Sequence, residues 1–168
     1  MKTILIIRHA KSSWENFTVS DELRPLNDRG RKNATEMATR LMNKSITADE
    51  LISSPAKRAL TTAQIFASGW KMDPKTIRIV PALYNAQPEA FTAAIRNAMP
   101  AAGTIALFSH NPVITDYVNQ LTTARIDSMP TCAVFAVKSD IGDWTEFQPS
   151  GNEFYFFDYP KSDRANRG

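Results

Sequence analysis

A single cysteine, Cys132, stands among 168 residues. No internal disulfide can form, which excludes the disulfide-stapled secreted folds and makes a reducing, cytoplasmic setting the simpler expectation. Histidine is nearly as scarce, with only His9 and His110. Two histidines so far apart, without a paired cysteine or carboxylate motif, do not make a zinc ligand set, and no metal is expected. No apolar run approaches the roughly 20 residues needed to span a bilayer. The N-terminal apolar run meets Arg8 and His9 at once, so it lacks a signal peptide's long apolar region and small-residue cleavage site. No membrane association is expected. Basic charge is not concentrated either: the net charge is +3 and the pI near 9.1, with Lys and Arg scattered along the chain. That distribution suits an anionic small ligand or a phosphorylated protein better than a nucleic-acid groove.

Hydrophobic residues at 43% and charged ones at 22% are ordinary for a globular protein, and the length suits one domain with a sizeable core. We expect that domain to cover residues 1–160, with a polar, frayed tail over 161–168. The most informative stretch is Ile4-Leu5-Ile6-Ile7-Arg8-His9-Ala10. Four consecutive aliphatics bounded by polar residues predict a strand buried on both faces, as parallel strands in α/β proteins are. Arg8 and His9 then fall at its C-terminal end, where open α/β sheets bind ligands. Taken alone, the pair fits solvated loop residues equally well.

Further along, a polar loop over residues 11–26 holds Ser12, Ser13, Trp14 and Asp21, and loops of this length are more often functional than idle. Asn27 predicts the cap of a helix whose apolar face is Ala34, Met37, Ala38, Leu41 and Met42. A short strand closes at Leu51-Ile52, and Ser54-Pro55 predicts an N-cap and first helical position for the next helix, with Arg58 near its first turn. A third strand is expected over 77–80, and Pro88 opens a helix. A fourth strand over 104–108 runs into His110, with Asn111 as cap and Pro112 as the first helical residue. Segments 131–137, 143–147 and 153–159 predict strands joined by short turns. Cys132 sits in the first of these and reads as a small core residue rather than a nucleophile. The expected fold is α/β: a three-layer sandwich with a mostly parallel central sheet, antiparallel strands in the C-terminal part, and helices on both faces.

Right-handed βαβ connections bring the C-terminal ends of parallel strands to one edge. Arg8, His9, Arg58 and His110 can therefore converge on one pocket suited to a phosphoryl group, since guanidinium groups bind phosphate oxygens in pairs and helix N-termini add N–H donors. Fixed positive charge keeps an imidazole neutral and nucleophilic. We expect His9 to attack phosphorus and become transiently phosphorylated, with Arg8, Arg58 and His110 binding the phosphoryl oxygens. No cofactor is expected, because these residues supply the positive charge.

Three motifs in order, Arg8-His9-Ala10, Ser54-Pro55-Ala56-Lys57-Arg58-Ala59-Leu60-Thr61-Thr62-Ala63 and Ser109-His110-Asn111-Pro112, resemble the histidine phosphatase superfamily, the phosphoglycerate mutase-like group. Arg8 to Trp14, Arg24-Pro25-Leu26-Asn27-Asp28-Arg29-Gly30, Leu83-Tyr84 and the short length are most similar to its compact SixA-like branch. That resemblance implies a phosphohistidine phosphatase of signal transduction, acting on a histidine phosphotransfer domain, with His9 as nucleophile, Arg8, Arg58 and His110 as the phosphate pocket, and no cofactor. Ala10 in place of glycine and Glu15 in place of the usual asparagine depart from the mutase pattern. The expected partner is a phosphorylated protein of this kind or a small phosphate ester, and the protein is expected to be a monomer.

The proton donor is the open position. Asp21 in the long loop and Glu89 at a helix start are the candidates for acid or substrate contact, with Ser12 a further contact candidate. Glu89 reads equally well as a carboxylate favoured by the helix dipole. An imidazole leaves phosphorus more easily than an alkoxide, so the lack of a clear acid favours a P–N bond. A phosphatase of small monoesters and a phosphate-binding module without turnover are the alternatives. Trp14 and Phe17 either form a docking surface or pack the loop against the body.

Overall fold

A computed structural model of the chain describes residues 1–15 and 18–160. The expectations for Phe17 and for the tail over 161–168 lie outside the described residues.

The first strand, β1 (Lys2–Arg8), has Ile4, Leu5, Ile6 and Ile7 fully buried. Side chains alternate across a strand, so Ile4 and Ile6 enter one core while Leu5 and Ile7 enter another on the opposite face. Burial of each such side chain contributes about 1.5–3 kcal/mol. The central strand β4 (Thr104–Ser109) divides the same way, with Ile105 and Leu107 on one side and Ala106 and Phe108 on the other.

The helices follow from the order in which the strands are visited. Between β1 and β4 on one side and the far edge on the other lie β2 (Glu50–Ser53) and the two-residue β3 (Arg78–Ile79). With β5 (Val134–Ser139) and β6 (Glu153–Asp158) they form a six-stranded sheet of order β3-β2-β4-β1-β5-β6. The first four strands are mutually parallel, and β5 is antiparallel to both β1 and β6. Helices α1 (Asp28–Asn43) and α2 (Lys57–Gly69) carry the chain in the same direction across the sheet, from β1 to β2 to β3. Right-handed crossovers therefore put both on one face, where Met37, Leu41, Ala63 and Phe66 meet Leu5, Ile7 and Phe108. Helix α3 (Pro88–Arg96) reverses direction from β3 to β4 and so covers the other face, joined there by α4 (Val113–Leu121). The three-layer α/β sandwich read from the sequence is the observed fold.

Several local expectations are corrected. Segment 143–147 is not a strand but a 3-10 turn over Trp144–Glu146. The Asp143 side chain accepts from Thr145 N–H, and the buried Trp144 indole donates to Ala102 O at 2.9 Å, so two specific hydrogen bonds override a weak alternation. β3 covers only Arg78–Ile79. β5 begins at Val134 rather than 131, because Cys132 turns into the left-handed region (φ 62°) and gives its N–H to His9 O. Cys132 is buried, as a core residue should be, and burial raises its thiol pKa. α2 starts at Lys57 after Ala56, and α4 at Val113 after Pro112, so neither Ser54 nor Asn111 caps a helix. Asn111 instead donates to Ser128 Oγ and Met129 O and accepts from Thr115 Oγ1.

The cap at Asn27 forms as expected, with its side chain accepting from Gly30 N–H at 2.8 Å, while Asn27 N–H donates to Lys11 O at 3.0 Å. This binds the start of α1 to the backbone two residues beyond His9. Gly30 is required by the closeness of that contact: a Cβ there would lie 2.1 Å from Lys11 O and 2.9 Å from Lys11 N. Gly30→Ala should therefore lower stability by about 1–3 kcal/mol, the usual cost of overpacking, read as a lower urea midpoint. An unchanged midpoint would show that Lys11 yields freely.

Candidate active site

β1 and β4 pair in register as far as Arg8 opposite Ser109, and β2 pairs with β4 as far as Ser53 opposite Phe108. The next residue of each strand is His9, His110 and Ser54, so the three stand side by side at one edge. His9 is held by its backbone on both sides, donating to Ser109 O at 3.1 Å and accepting from Cys132 N–H at 3.0 Å. Its ring is buried, with Nδ1 2.7 Å from Ala10 O. A carbonyl oxygen only accepts, so Nδ1 carries the proton and Nε2 keeps a free lone pair. Thr62 fixes this arrangement from α2. Its Oγ1 accepts from Ala10 N–H at 3.0 Å and donates to Arg58 O at 2.7 Å.

His9 has its pKa lowered from 6.5 to about 4. Burial is the largest cause, opposed by the bond to Ala10 and reinforced by the charges of Arg58, Arg8 and Arg24. His110 is pushed down to about 3 by burial, then by His9 and Arg58, with Asp21 acting the other way. The two rings lie 5.2 Å apart between centroids and are inclined at 52°. His110 Nε2 is 2.8 Å from Ser54 Oγ, while Nδ1 is buried without a partner among the described residues.

Arg8 donates to Met129 O at 2.8 Å, and its buried Nε has no partner among the described residues; burial lowers its pKa. Arg58 is buried in the first turn of α2 and grips Asp21 twice, with Nη1 to the backbone O at 2.7 Å and Nη2 to Oδ2 at 3.0 Å. Asp21 opens a 3-10 turn (Asp21–Leu23) within the long loop. Its Oδ2 also accepts from Tyr84 Oη at 2.7 Å, and Oδ1 lies 3.3 Å from Arg24 Nη2. The Tyr84 bond is the largest cause of the fall in Asp21 pKa to about 2, which outweighs the opposing effect of burial and is aided by Arg58. The same bond raises the Tyr84 pKa. Tyr84 in turn meets His110 edge-on at 5.8 Å.

The structure thus brings together Arg8, His9, Arg58, His110 and Asp21. Ser12 is present indirectly, accepting a hydrogen bond from Arg24 Nη1. Glu89 is exposed in the first turn of α3, and among the described residues it makes no hydrogen bond to any of these groups. Sequence reasoning missed Arg24, Tyr84, Ser54 and Thr62 as parts of the site. Arg24, Tyr84 and Thr62 appeared only within resemblance motifs, and Ser54 read as a helix cap. With both imidazoles neutral, three guanidinium groups and one carboxylate leave the cluster two positive charges in excess. That excess of positive charge surrounds the unprotonated ring nitrogen of His9.

Residues 4–87 match the family model for the histidine phosphatase superfamily, branch 1. The chain belongs to that superfamily. The same fold occurs in the protein histidine phosphatase SixA solved with tungstate, with a TM-score of 0.77, 21% identity, and 99% of each chain covered. SixA from Agrobacterium tumefaciens superposes with a TM-score of 0.73 at 22% identity over 83% of this chain and 92% of that one. SixA from Nakamurella multipartitia gives 0.71 at 20% identity over 95% and 96%. No curated protein sequence matches the chain significantly. Among the described residues no helix is long and apolar enough to cross a membrane.

The depressed imidazole pKa values set a pH dependence of folding. As pH falls below about 6.5 the unfolded chain takes up protons at His9 and His110, which the folded protein does not do until about 4 and 3. The unfolded state then binds more protons, so stability is lost as pH falls through this interval. Asp21, at about 2 against an ordinary 3.8, continues the loss below it. The urea midpoint should fall steadily from pH 7 to pH 4.5, and the fall should shrink when both histidines are replaced by asparagine. A midpoint that holds level in the native protein would show that the folded rings accept protons freely.

Proposed function

We propose that the protein is a phosphatase that works through a phosphohistidine intermediate on His9 and removes phosphate from phosphohistidine on a histidine phosphotransfer domain. The observation that carries this reading is the Nδ1–H bond of His9 to Ala10 O, which leaves Nε2 unprotonated amid Arg8, Arg24 and Arg58. In the first step Nε2 attacks phosphorus and the bond from phosphorus to the substrate's leaving group breaks. In the second, water attacks phosphorus, and His9 recovers its electron pair as phosphate departs. Arg8, Arg58 and His110, with Arg24, hold the phosphoryl oxygens, so that preorganised donors meet the charge where it redistributes.

Two further observations support it. A tetrahedral oxyanion, tungstate, is bound in the solved SixA of the same fold. At the rim, Trp14 is stacked on Arg24 at 3.5 Å yet remains 68% exposed, and Leu23 is 60% exposed, so the loop presents apolar surface to an incoming protein. Trp14 therefore packs on its own loop and also offers a face for docking.

Phosphate release from a phosphorylated phosphotransfer domain and from a phosphate monoester, with chelator present, tests this reading. The native protein should prefer the phosphohistidine, and His9→Ala should abolish release. Arg58→Ala should slow it by about 10²–10³-fold, the scale for losing one preorganised donor. Preference for the monoester would assign the protein to small phosphate esters instead. Phosphate binding without release from either substrate would leave a phosphate-binding module.

A further inference from the structure

We infer that Asp21 is a specificity-determining residue that selects substrates whose leaving group carries a positive charge, here the protonated imidazole of phosphohistidine. This rests on the phosphohistidine reading above and assigns the chemical form of the substrate that the site accepts.

Position comes first. The Asp21 side chain is 50% exposed, whereas His9, Arg58 and His110 are 7%, 6% and 8% exposed. Asp21 therefore stands at the mouth of the cleft and the attacking ring at its floor. In an in-line displacement the leaving group lies across phosphorus from the nucleophile, which places it toward the mouth and toward Asp21.

The mouth offers an anion there rather than an acid. Asp21 is ionised at neutral pH, and the proton of Tyr84 is already given to Asp21 Oδ2. An alkoxide leaving from a monoester would find no proton at this point and a negative charge facing it, which counts against such substrates. A phosphohistidine protonated on its second ring nitrogen needs neither. As the bond from His9 Nε2 to phosphorus forms, the substrate P–N bond breaks and its electron pair returns to the ring. The imidazolium becomes neutral imidazole, and the proton on the other nitrogen never moves.

Asp21 also has capacity to receive that N–H. A carboxylate has about four acceptor sites. Oδ2 is occupied by Arg58 and Tyr84, while among the described residues Oδ1 has only the long 3.3 Å contact with Arg24. Oδ1 is the acceptor left for an imidazolium N–H, and a charge-assisted bond there favours the protonated substrate.

The test compares the native protein and Asp21→Asn on a phosphorylated histidine phosphotransfer domain and on p-nitrophenyl phosphate, whose leaving group departs as an anion and needs no proton. The replacement is isosteric and half-exposed, and its amide oxygen can still accept from Arg58. The ratio of kcat/KM for the phosphohistidine over that for p-nitrophenyl phosphate should fall by about 10- to 100-fold, the scale for losing a hydrogen bond to a charged group. Equal losses on both substrates would make Asp21 only a support for Arg58 and overturn the inference, leaving the phosphatase reading intact. No release from phosphohistidine by the native protein would overturn the substrate reading itself, and this inference with it.

Discussion

The parallel pairing of β1 with β4 is the constraint on which the site depends. It runs in register from Thr3 opposite Thr104 to Arg8 opposite Ser109. Because both strands are buried on two faces, a slip of one residue would move every side chain to the wrong core. The register that packs Ile4, Leu5, Ile6 and Ile7 also sets His9 level with His110. His9 is then pinned by Ser109 O from one neighbouring strand and Cys132 N–H from the chain entering the other. The placement of His9 beside His110 therefore comes from the packing of the sheet.

Electrostatically the cleft is poised rather than relaxed. Among the described residues, Arg8, Arg24 and Arg58 each bury an Nε without a partner, and His110 Nδ1 is likewise unpaired. Buried polar atoms left unsatisfied cost free energy, of the order of 1–3 kcal/mol each, and an arriving oxyanion can offset part of that cost. Asp21 compensates Arg58 and Arg24 in the free protein, and Tyr84 and Ser54 extend the network to His110. Keeping both imidazoles uncharged beside three guanidinium groups is the consistent outcome of burial and like charge acting together.

The described residues of the loop over 11–26 form a wall beside Arg58. Ser12 bridges to Leu26 across its base, and Arg24 links Ser12, Trp14 and Asp21 from within. Gly30 lets α1 press against Lys11, so the base of this wall is tied to the helical layer. The wall is therefore braced by the same core that fixes His9.

The sequence by itself determined the elements whose signals are local: the doubly buried β1, the Asn27 cap, the Pro88 helix start, and the strand ends that carry His9 and His110. Apolar runs, caps and prolines act within a few residues, so they are readable in order along the chain. Tertiary structure alone decided where a local signal had a distant competitor. Ser54 fits a cap, yet its hydroxyl lies against His110 from another strand; segment 143–147 alternates, yet the Trp144 indole reaches Ala102 O. Arg24, Asp21 and Tyr84 carry no periodic signal at all, and they meet only because the loop and the β3 end fold over Arg58. The protonation of His9 belongs to the same class, since burial and charges from three separate segments set it.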